Sequence, residues 1–358
     1  MTRSVGIGVV GCGGAAVDIV HAIDWLPDVH LAAAYDRIAV LAAELAEPRG
    51  AAVATSLEML LAHPGVDVVY VALPHDQLAP VAARALEAGR HVLVEKPMAL
   101  DLATIQALEQ VAQRRGLCLG VVFEFRASPA VTESRRLIAL GAIGDVQLVR
   151  VRTVIDKLPD YWRSGPSGRV ADGWRSRRQQ AGGGVVLMNA IHQLDVVRYV
   201  TGLEFVRATS EVASMAEMDV EDIASATLRL SNRGLLNLVA TACSPGARAD
   251  ERIEIDGSKG RLDLPDPYAG GPLRVFLREP VAGHDAGRWL DLHLDPLDAH
   301  LALLGSFLAA VRGRAPLLAS AGDAFAALAA VLAIYAAAEG GRSVEIPETP
   351  IPEESIDA

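Results

Sequence analysis

A short apolar run that ends in a glycine turn constrains the fold of this chain more than any other feature. The run Val5–Val10 is followed at once by Gly-Cys-Gly-Gly-Ala-Ala at positions 11–16, and apolar residues then recur at helical spacing from Val17 to Leu26. Strand, glycine turn and helix in this order are the context in which the spacing G-x-G-x-x-[GA] indicates dinucleotide binding. The sequence therefore predicts a dinucleotide-binding domain at the start of the chain.

Each small residue of the turn has a distinct role in such a site. Gly11 permits the tight turn, Gly13 lets the backbone approach a pyrophosphate, and Ala16 allows the helix to pack closely on the strand. The free N–H groups and the positive end of the helix then face the phosphates. We expect direct cofactor contacts from the turn residues Gly11, Gly13, Gly14 and Ala15.

An acidic residue at the end of the second strand favours NAD over NADP. The predicted strand Val29–Tyr35 is followed by Asp36 and Arg37. A carboxylate at this distance from the first glycine can accept both hydroxyls of the adenosine ribose, and it would repel a 2′-phosphate. Arg37 leaves NADP possible, because a guanidinium beside the ribose could neutralise that phosphate.

Strands and helices continue to alternate up to about residue 122. Continuous apolar runs, as opposed to alternating ones, indicate a parallel sheet that is covered on both faces. The predicted strands are 51–54, 66–73, 92–94 and 117–122, and the predicted helices are 57–62, 80–88 and 101–115. We predict an α/β Rossmann domain over residues 1–124.

A lysine directly after one of these strands lies where such sheets bind ligands. Val92–Val94 ends in Glu95-Lys96-Pro97, and Val66–Leu73 ends in Pro74-His75. Ligands of open parallel sheets bind outside the carboxyl ends of the strands. We therefore place the residues after these two strands on the cofactor side of the sheet: Leu73, Pro74, His75, Glu95 and Lys96.

Composition excludes several other classes of protein. A formal net charge of −11 argues against a nucleic-acid partner, and Cys12, Cys118 and Cys243 show no metal or pairing spacing. No run reaches the roughly 20 uncharged apolar residues of a membrane span, and Ala324–Ala338 is better explained as a buried helix. No cleavable signal pattern precedes the first strand. We expect a cytoplasmic protein that binds neither membrane nor nucleic acid, and no metal site.

The second half of the chain changes periodicity. Alternating strands such as 224–230 and 235–240 are separated by turn residues, which predicts an antiparallel meander with one free, partly apolar face. We predict an α+β domain over residues 125–358, whose open, mostly antiparallel sheet mediates self-association. The helices 296–312 and 322–340 are expected to pack back on the first domain or on its seam with the second.

Two segments of this second domain carry candidate substrate contacts. The long loop 156–180 contains Trp174 and Arg175, and aromatic and guanidinium groups suit the walls of a sugar-binding site. The predicted helix 185–201 places Asn189, His192 and Asp195 along one stripe, directly after a run of three glycines. Asp195 could fix the tautomer of the His192 imidazole.

Four segments of the chain together resemble the glucose–fructose oxidoreductase, inositol dehydrogenase and rhizopine-catabolism family. They are the glycine turn at 11–16, A-L-P-H at 72–75, A-L-E-A-G-R-H-V-L-V-E-K-P at 85–97 and G-G-G-V-V-L-M-N-A-I-H-Q-L-D at 182–195. The resemblance implies nicotinamide-dependent oxidation or reduction of a sugar, cyclitol or related polyol, and a homodimer or homotetramer. By similarity, Lys96 is the catalytic or substrate-orienting lysine, and a cis peptide bond is expected before Pro97. Candidate substrate contacts are Lys96, Arg126, Trp174, Arg175, Asn189, His192 and Asp195.

One position departs from the family pattern. Relatives most often carry Asp or Asn four residues before the histidine, where this chain has Met188. Histidine has a suitable pKa for proton transfer near neutral pH, and burial can lower the pKa of a lysine into the same range. We expect His192 to act as general acid/base and Lys96 as its partner, although the two roles could be exchanged. An NAD-dependent redox glycosidase and a catalytically silent dinucleotide sensor remain alternatives.

Overall fold

A six-stranded parallel sheet forms the first half of the chain. The computed structural model describes residues 4–165, 167–170, 172–216, 218–247 and 250–350. The strands lie in the order β3-β2-β1-β4-β5-β6, which is the doubly wound arrangement of a Rossmann domain. They are β1 (Val5–Val10), β2 (Val29–Tyr35), β3 (Ala52–Val53), β4 (Val68–Val71), β5 (His91–Val94) and β6 (Leu119–Val121), with helices α1 (Gly14–Asp24), α2 (Ala39–Ala46), α3 (Leu57–Ala62), α4 (His75–Glu87) and α5 (Leu102–Arg115).

The helix boundaries follow local capping chemistry. The Asp101 carboxylate accepts the Thr104 N–H at 2.8 Å, and Gly116 ends α5 in the left-handed conformation. The predicted start of α4 at Pro80 is wrong, because the helix begins at His75 and contains Pro80 in its interior. Proline is expected in the first turn of a helix and not in its interior, which is why Pro80 misled the prediction of the boundary.

A nine-stranded sheet forms most of the second half. Its order is β14-β13-β12-β11-β7-β10-β9-β8-β15, and neighbouring strands run antiparallel except for β7 and β10. The elements are α6 (Pro129–Ala139), β7 (Val146–Val154), α7 (Pro159–Ser164), α8 (Arg178–Ala181), α9 (Ile191–Thr201), β8 (Phe205–Ala213), β9 (Ile223–Leu230), β10 (Leu235–Thr241), β11 (Ile253–Gly257), β12 (Gly260–Leu264), β13 (Leu273–Leu277), β14 (Trp289–Leu292), α10 (Ala299–Val311), α11 (Ala321–Gly340) and β15 (Val344–Glu345).

The parallel pair corrects the predicted simple meander. Strand β10 pairs with β9 on one side and with β7 on the other, and β7 lies far earlier in the chain. Periodicity specifies which face of a strand is buried, but it does not specify which strand lies beside it.

The last two helices return to the first domain, as predicted. Leu303, Leu304, Phe307 and Leu308 of α10 join the hydrophobic core formed by α1 and β1. Helix α11 is long and apolar enough to span a membrane by length and composition, but 78% of its most apolar window is buried inside the protein. It is therefore a core helix, and its Ser320 capping box fixes where it begins.

The free face of the large sheet is more charged than predicted. Arg150 on β7 pairs with Glu254 and Asp256 on β11, and Arg261 on β12 extends this network. Among large apolar side chains, Val239 and Trp289 are exposed there. The prediction of a partly apolar face holds only for these few positions, and paired charges cover most of the rest of its β7–β13 half.

Candidate active site

The glycine turn has the geometry that a pyrophosphate site requires. Gly11 has a φ of +86°, and a Cβ atom there would lie 2.1 Å from the Ala72 carbonyl oxygen. Gly13, in contrast, has a φ of −73° and no heavy atom within 4 Å of an added Cβ. The protein's own packing therefore requires glycine at position 11, whereas position 13 faces open space above the start of α1. That space is where a ligand phosphate would approach the helix N-terminus.

Asp36 is held at the edge of this turn. Its Oδ2 accepts the Cys12 N–H at 2.7 Å and its Oδ1 accepts the Ile38 N–H at 2.8 Å. Each carboxylate oxygen retains a second lone pair that can accept a ribose hydroxyl. Arg37 is turned to Asp172, with 2.6 Å between guanidinium and carboxylate. The residue that left NADP possible is therefore engaged in an ion pair with the 156–180 loop.

That loop covers the cofactor side of the first domain. Ser167 packs against Gly14, since a Cβ on this glycine would lie 2.8 Å from the serine hydroxyl. Arg169 pairs with Glu44 at 2.7 Å. Because these contacts cross from the second domain to the first, the loop encloses the crevice between them.

His75 connects the same loop to the end of β4. Its Nδ1 lies 2.7 Å from the Ala181 carbonyl oxygen, which identifies Nδ1 as the protonated nitrogen. The ring contacts Trp174 edge to face at 4.6 Å. Burial, and then the charge of Lys96, lowers the pKa of His75 to about 3. His75 is therefore neutral, and it lies on the cofactor side beside Leu73 and Pro74, as its position after β4 predicts.

Lys96 lies at the centre of the crevice. Its ammonium donates a hydrogen bond to the carbonyl of Met188 in the second domain, and the Lys96–Pro97 peptide bond is cis. Burial lowers its pKa, and the carboxylates of Glu95 and Glu124 oppose that shift. Beneath it, the Tyr70 hydroxyl lies 2.7 Å from Glu95 Oε1 and 3.4 Å from the Ala15 carbonyl oxygen. Tyr70 thus joins Glu95, the residue before Lys96, to the glycine turn.

His192 lies in the same crevice, packed against the segment that follows β6. The Phe125 and Phe123 rings contact its imidazole at 4.9 Å and 6.1 Å between centroids. Burial, and then the charge of Lys96, lowers the pKa of His192 well below its usual value. The imidazole is therefore neutral at physiological pH, which is the protonation state that a general base requires.

The predicted pairing of Asp195 with His192 is wrong. Both oxygens of the Asp195 carboxylate accept hydrogen bonds from Arg126, at 2.8 and 2.6 Å. Arg126 also bonds the Leu318 carbonyl and pairs with Asp323, so all three of its nitrogens are engaged. The prediction that Arg126 and Asp195 contact substrate is corrected as well: they form a buried ion pair that joins the start of the second domain to α9 and α11.

The loop aromatics and cations form one wall of the crevice. The Arg175 guanidinium lies over the rings of Trp174 and Tyr161, at 4.5 and 5.6 Å from their centroids. The Lys157 ammonium also lies over the Tyr161 ring, 4.4 Å from its centroid. The Tyr161 hydroxyl is 3.9 Å from the Met188 sulfur, so this wall reaches the residues beside Lys96.

The glycine run before His192 has a structural explanation. A Cβ at Gly183 would lie 2.1 Å from the Tyr335 hydroxyl, and one at Gly184 would lie 1.7 Å from the Glu221 carbonyl oxygen.

The predicted single helix 185–201 is divided into a π-helical turn, Val186–Ala190, followed by α9. Asn189 lies in that turn and its buried Oδ1 has no protein partner. A π-helical turn is often found at functional sites, and here it presents the Met188 carbonyl to Lys96.

A cavity of the second domain lies beside this crevice. Its volume is about 240 Å³, and Phe125, Gln193 and Glu251 contribute to its lining, whereas Lys96 and His192 do not. Among the residues that the structure describes, no cluster of His, Cys, Asp or Glu could hold a metal ion.

Sequence reasoning missed three charged groups of the crevice: Glu124, Lys157 and Glu251. Glu124 follows β6 by a few residues, so the rule that selected Lys96 at the end of β5 would also have selected it. Lys157 follows β7 of the mostly antiparallel sheet, to which that rule does not extend. Glu251 gives no such signal, because its place beside Gln193, 2.9 Å away, depends on long-range packing.

Comparison with known proteins agrees with this geometry. Residues 5–123 match the oxidoreductase family with an NAD-binding Rossmann fold, and residues 131–263 match the GFO/IDH/MocA C-terminal domain. The chain belongs to the GFO/IDH/MocA family of oxidoreductases, and its first domain binds NAD.

Relatives that match most of the chain include a sugar reductase and a cyclitol dehydrogenase. The chain is 30% identical to the 1,5-anhydro-D-fructose reductase of Ensifer adhaerens, over 82% of this chain and 83% of the relative. It is also 30% identical to a myo-inositol dehydrogenase of Streptomyces leeuwenhoekii, over 87% and 98%. A levoglucosan dehydrogenase solved with NADH has the same fold, with a TM-score of 0.84, 22% identity and coverage of 97% and 100%. The chain is accordingly an NAD-binding oxidoreductase of the sugar and cyclitol dehydrogenase class.

Proposed function

We propose that the protein transfers a hydride between NAD and a secondary alcohol or ketone carbon of a sugar, cyclitol or related polyol, with His192 and Lys96 handling the proton. The observation that carries this proposal is that both residues lie in one crevice, close enough for the charge of Lys96 to lower the pKa of His192. Lys96 follows β5 of the NAD-binding domain, and it bonds the Met188 carbonyl four residues before His192. Each domain thus contributes one member of the pair.

Bound NAD would supply the hydride acceptor or donor. Gly13 leaves room for its pyrophosphate, and Asp36 offers free lone pairs to its ribose. The neutral His192 imidazole accepts the hydroxyl proton of the alcohol. Lys96 remains close to the reacting oxygen and stabilises the negative charge that develops there. In the direction of reduction the same groups return the proton.

The wall formed by Tyr161, Trp174, Arg175 and Lys157 supports recognition of a polyhydroxylated ring. Aromatic faces pack on the apolar faces of a sugar, and the cationic groups can donate hydrogen bonds to its hydroxyls.

We also propose that the enzyme is cytoplasmic and that copies associate through the free sheet face. Sedimentation of the purified protein tests that association, and a monomer at all concentrations would contradict it.

A substrate panel separates this function from its alternatives. Purified protein is incubated with NAD and a series of cyclitols, aldoses, anhydrosugars and sugar acids, and the absorbance of NADH is followed. Net NADH formation with one of these polyols supports the dehydrogenase. Release of a glycosidic group without net NADH would replace it by a redox glycosidase. Tight NAD binding without turnover of any polyol would indicate a sensor.

A further inference from the structure

A carboxylate with one unpartnered oxygen faces the proposed general base. Glu124 lies in the short 3-10 turn Glu124–Ala127 that follows β6, and its Oε2 is 3.7 Å from His192 Nδ1. Both atoms are buried, and neither has a hydrogen-bond partner. The side chains are 8% and 9% exposed, so bulk water does not satisfy them. Two buried polar atoms that lack partners and face each other indicate a functional contact.

The other carboxylates near the crevice are committed elsewhere. Asp195 is held by Arg126, Glu251 accepts from Gln193, and Glu95 accepts from Tyr70. Glu221 accepts the backbone N–H groups of Gly184 and Val186. Among the described residues of the crevice, Glu124 is therefore the carboxylate that remains for His192.

A distance of 3.7 Å exceeds that of a hydrogen bond, but a small movement closes it. Hydrogen bonds of catalytic groups are commonly long in ligand-free proteins and tighten when substrate binds. The Phe123 and Phe125 rings, on either side of Glu124 in sequence, pack on the imidazole and hold it toward this segment.

We propose that Glu124 is the positioning residue of His192: its carboxylate accepts the Nδ1 proton and leaves Nε2 as the proton-accepting nitrogen. Proton and charge then balance within the pair. The alcohol proton moves to Nε2, the Nδ1 proton stays on the ring, and the carboxylate stabilises the resulting imidazolium. This inference rests on the proposed role of His192 as general acid/base.

Several charges set the protonation of Glu124. Burial raises the pKa of Glu124 to about 7; the charges of His300 and Lys96 oppose this shift and Glu95 adds to it. The titratable groups that face Glu124 are His192 from α9, Lys96 and Glu95 from the end of β5, His300 from α10, Tyr70 from β4, and Tyr268 from the loop after β12. The positioning carboxylate is therefore formed as the pH rises through about 7.

The tautomer of His192 tests the proposal without requiring turnover. The full chain, labelled with ¹⁵N-histidine, is examined by NMR with and without NAD, and the His192 signal is assigned by its loss in His192→Gln. At pH 8 we expect the Nδ1-protonated tautomer in the wild type. In Glu124→Gln, the ratio of the two tautomers should move toward Nε2 protonation by about tenfold or more, the scale of a hydrogen bond to a charged group. Glu133→Gln, a partly exposed carboxylate on α6, is the matched control.

Kinetics provide the second readout. Glu124→Gln should lower kcat about 10- to 100-fold with little change in KM, and Glu124→Asp should restore part of the loss. If Glu124→Gln fails to fold, the wild type still decides, because its tautomer ratio should change with an inflection near pH 7.

An unchanged tautomer in Glu124→Gln, or a wild-type ratio that is flat between pH 5 and 9, would overturn the role of Glu124. Absence of polyol turnover together with a tautomer that does depend on Glu124 would instead refute the proposed function and leave the pairing standing.

Discussion

Two alanine substitutions in the glycine turn separate packing from ligand binding. At Gly11, alanine would have to adopt a φ of +86°, with its Cβ 2.1 Å from the Ala72 carbonyl oxygen. A left-handed backbone costs about 1–2 kcal/mol, and forced overpacking adds about 1–3 kcal/mol. We therefore expect Gly11→Ala to lower the free energy of unfolding by about 2–5 kcal/mol.

At Gly13 the same substitution should leave the fold intact. The φ of −73° suits alanine, and an added Cβ meets no heavy atom within 4 Å. Replacing glycine at such a position stabilises a protein by about 0.4–1 kcal/mol, because the unfolded chain loses freedom. The methyl group would, however, occupy the space through which the backbone approaches the pyrophosphate. We expect the Kd for NAD to rise about 10- to 100-fold.

Urea unfolding and calorimetric titration with NAD measure the two quantities for each variant. The reasoning would be refuted if Gly13→Ala bound NAD as tightly as the wild type, or if Gly11→Ala were as stable as Gly13→Ala.

Three further predictions concern charge. Asp36→Asn keeps an acceptor oxygen but removes the charge that repels a 2′-phosphate, so the preference for NAD over NADP should fall about tenfold, measured as the ratio of the two Kd values; an unchanged ratio would contradict the role of Asp36. Arg126→Ala leaves Asp195 buried and unpaired and should lower the free energy of unfolding in urea by about 3–5 kcal/mol. Arg274→Ala breaks an exposed pair with Asp291 and should lower it by under about 1 kcal/mol. Equal losses in the two variants would contradict the structural role of the buried ion pair. The pKa of Glu124 is raised to about 7 in the folded protein, so the protonated carboxyl contributes fully to stability below pH 4.5 and this contribution is lost as the pH rises through 7. Glu124→Gln should therefore have a higher free energy of unfolding than the wild type at pH 8, by on the order of 3 kcal/mol, and not at pH 4.5. A difference that stays constant between these pH values would contradict the prediction.

The first domain could be predicted closely because its signals are local. The run Val5–Val10, the glycine turn and Asp36 lie within one βαβ unit, and the rule for parallel sheets then places Lys96 on the cofactor side. The cis bond before Pro97 and the return of α10 and α11 agree with the prediction.

The parts that could not be predicted depend on contacts between distant segments. Alternation identifies β7 and β10 as strands, but their parallel pairing depends on the whole sheet. The stripe Asn189, His192 and Asp195 suggested one site, yet Asp195 turns to Arg126, which lies 69 residues earlier. Helical spacing shows which side chains share a face, and it does not show what that face meets.

The most direct measurement of the central proposal compares Lys96→Ala with the wild type in both NAD binding and turnover. Lys96 faces Met188, Glu124 and His192 across the crevice, so its loss should remove the group that stabilises charge on the reacting oxygen. With a polyol that the wild type accepts, we predict at least about a 100-fold fall in the rate of NADH formation and a Kd for NAD within about threefold of the wild-type value. Lys259→Ala, on the surface beside Glu279, should change neither quantity. A Lys96→Ala variant that forms NADH at the wild-type rate would contradict the account.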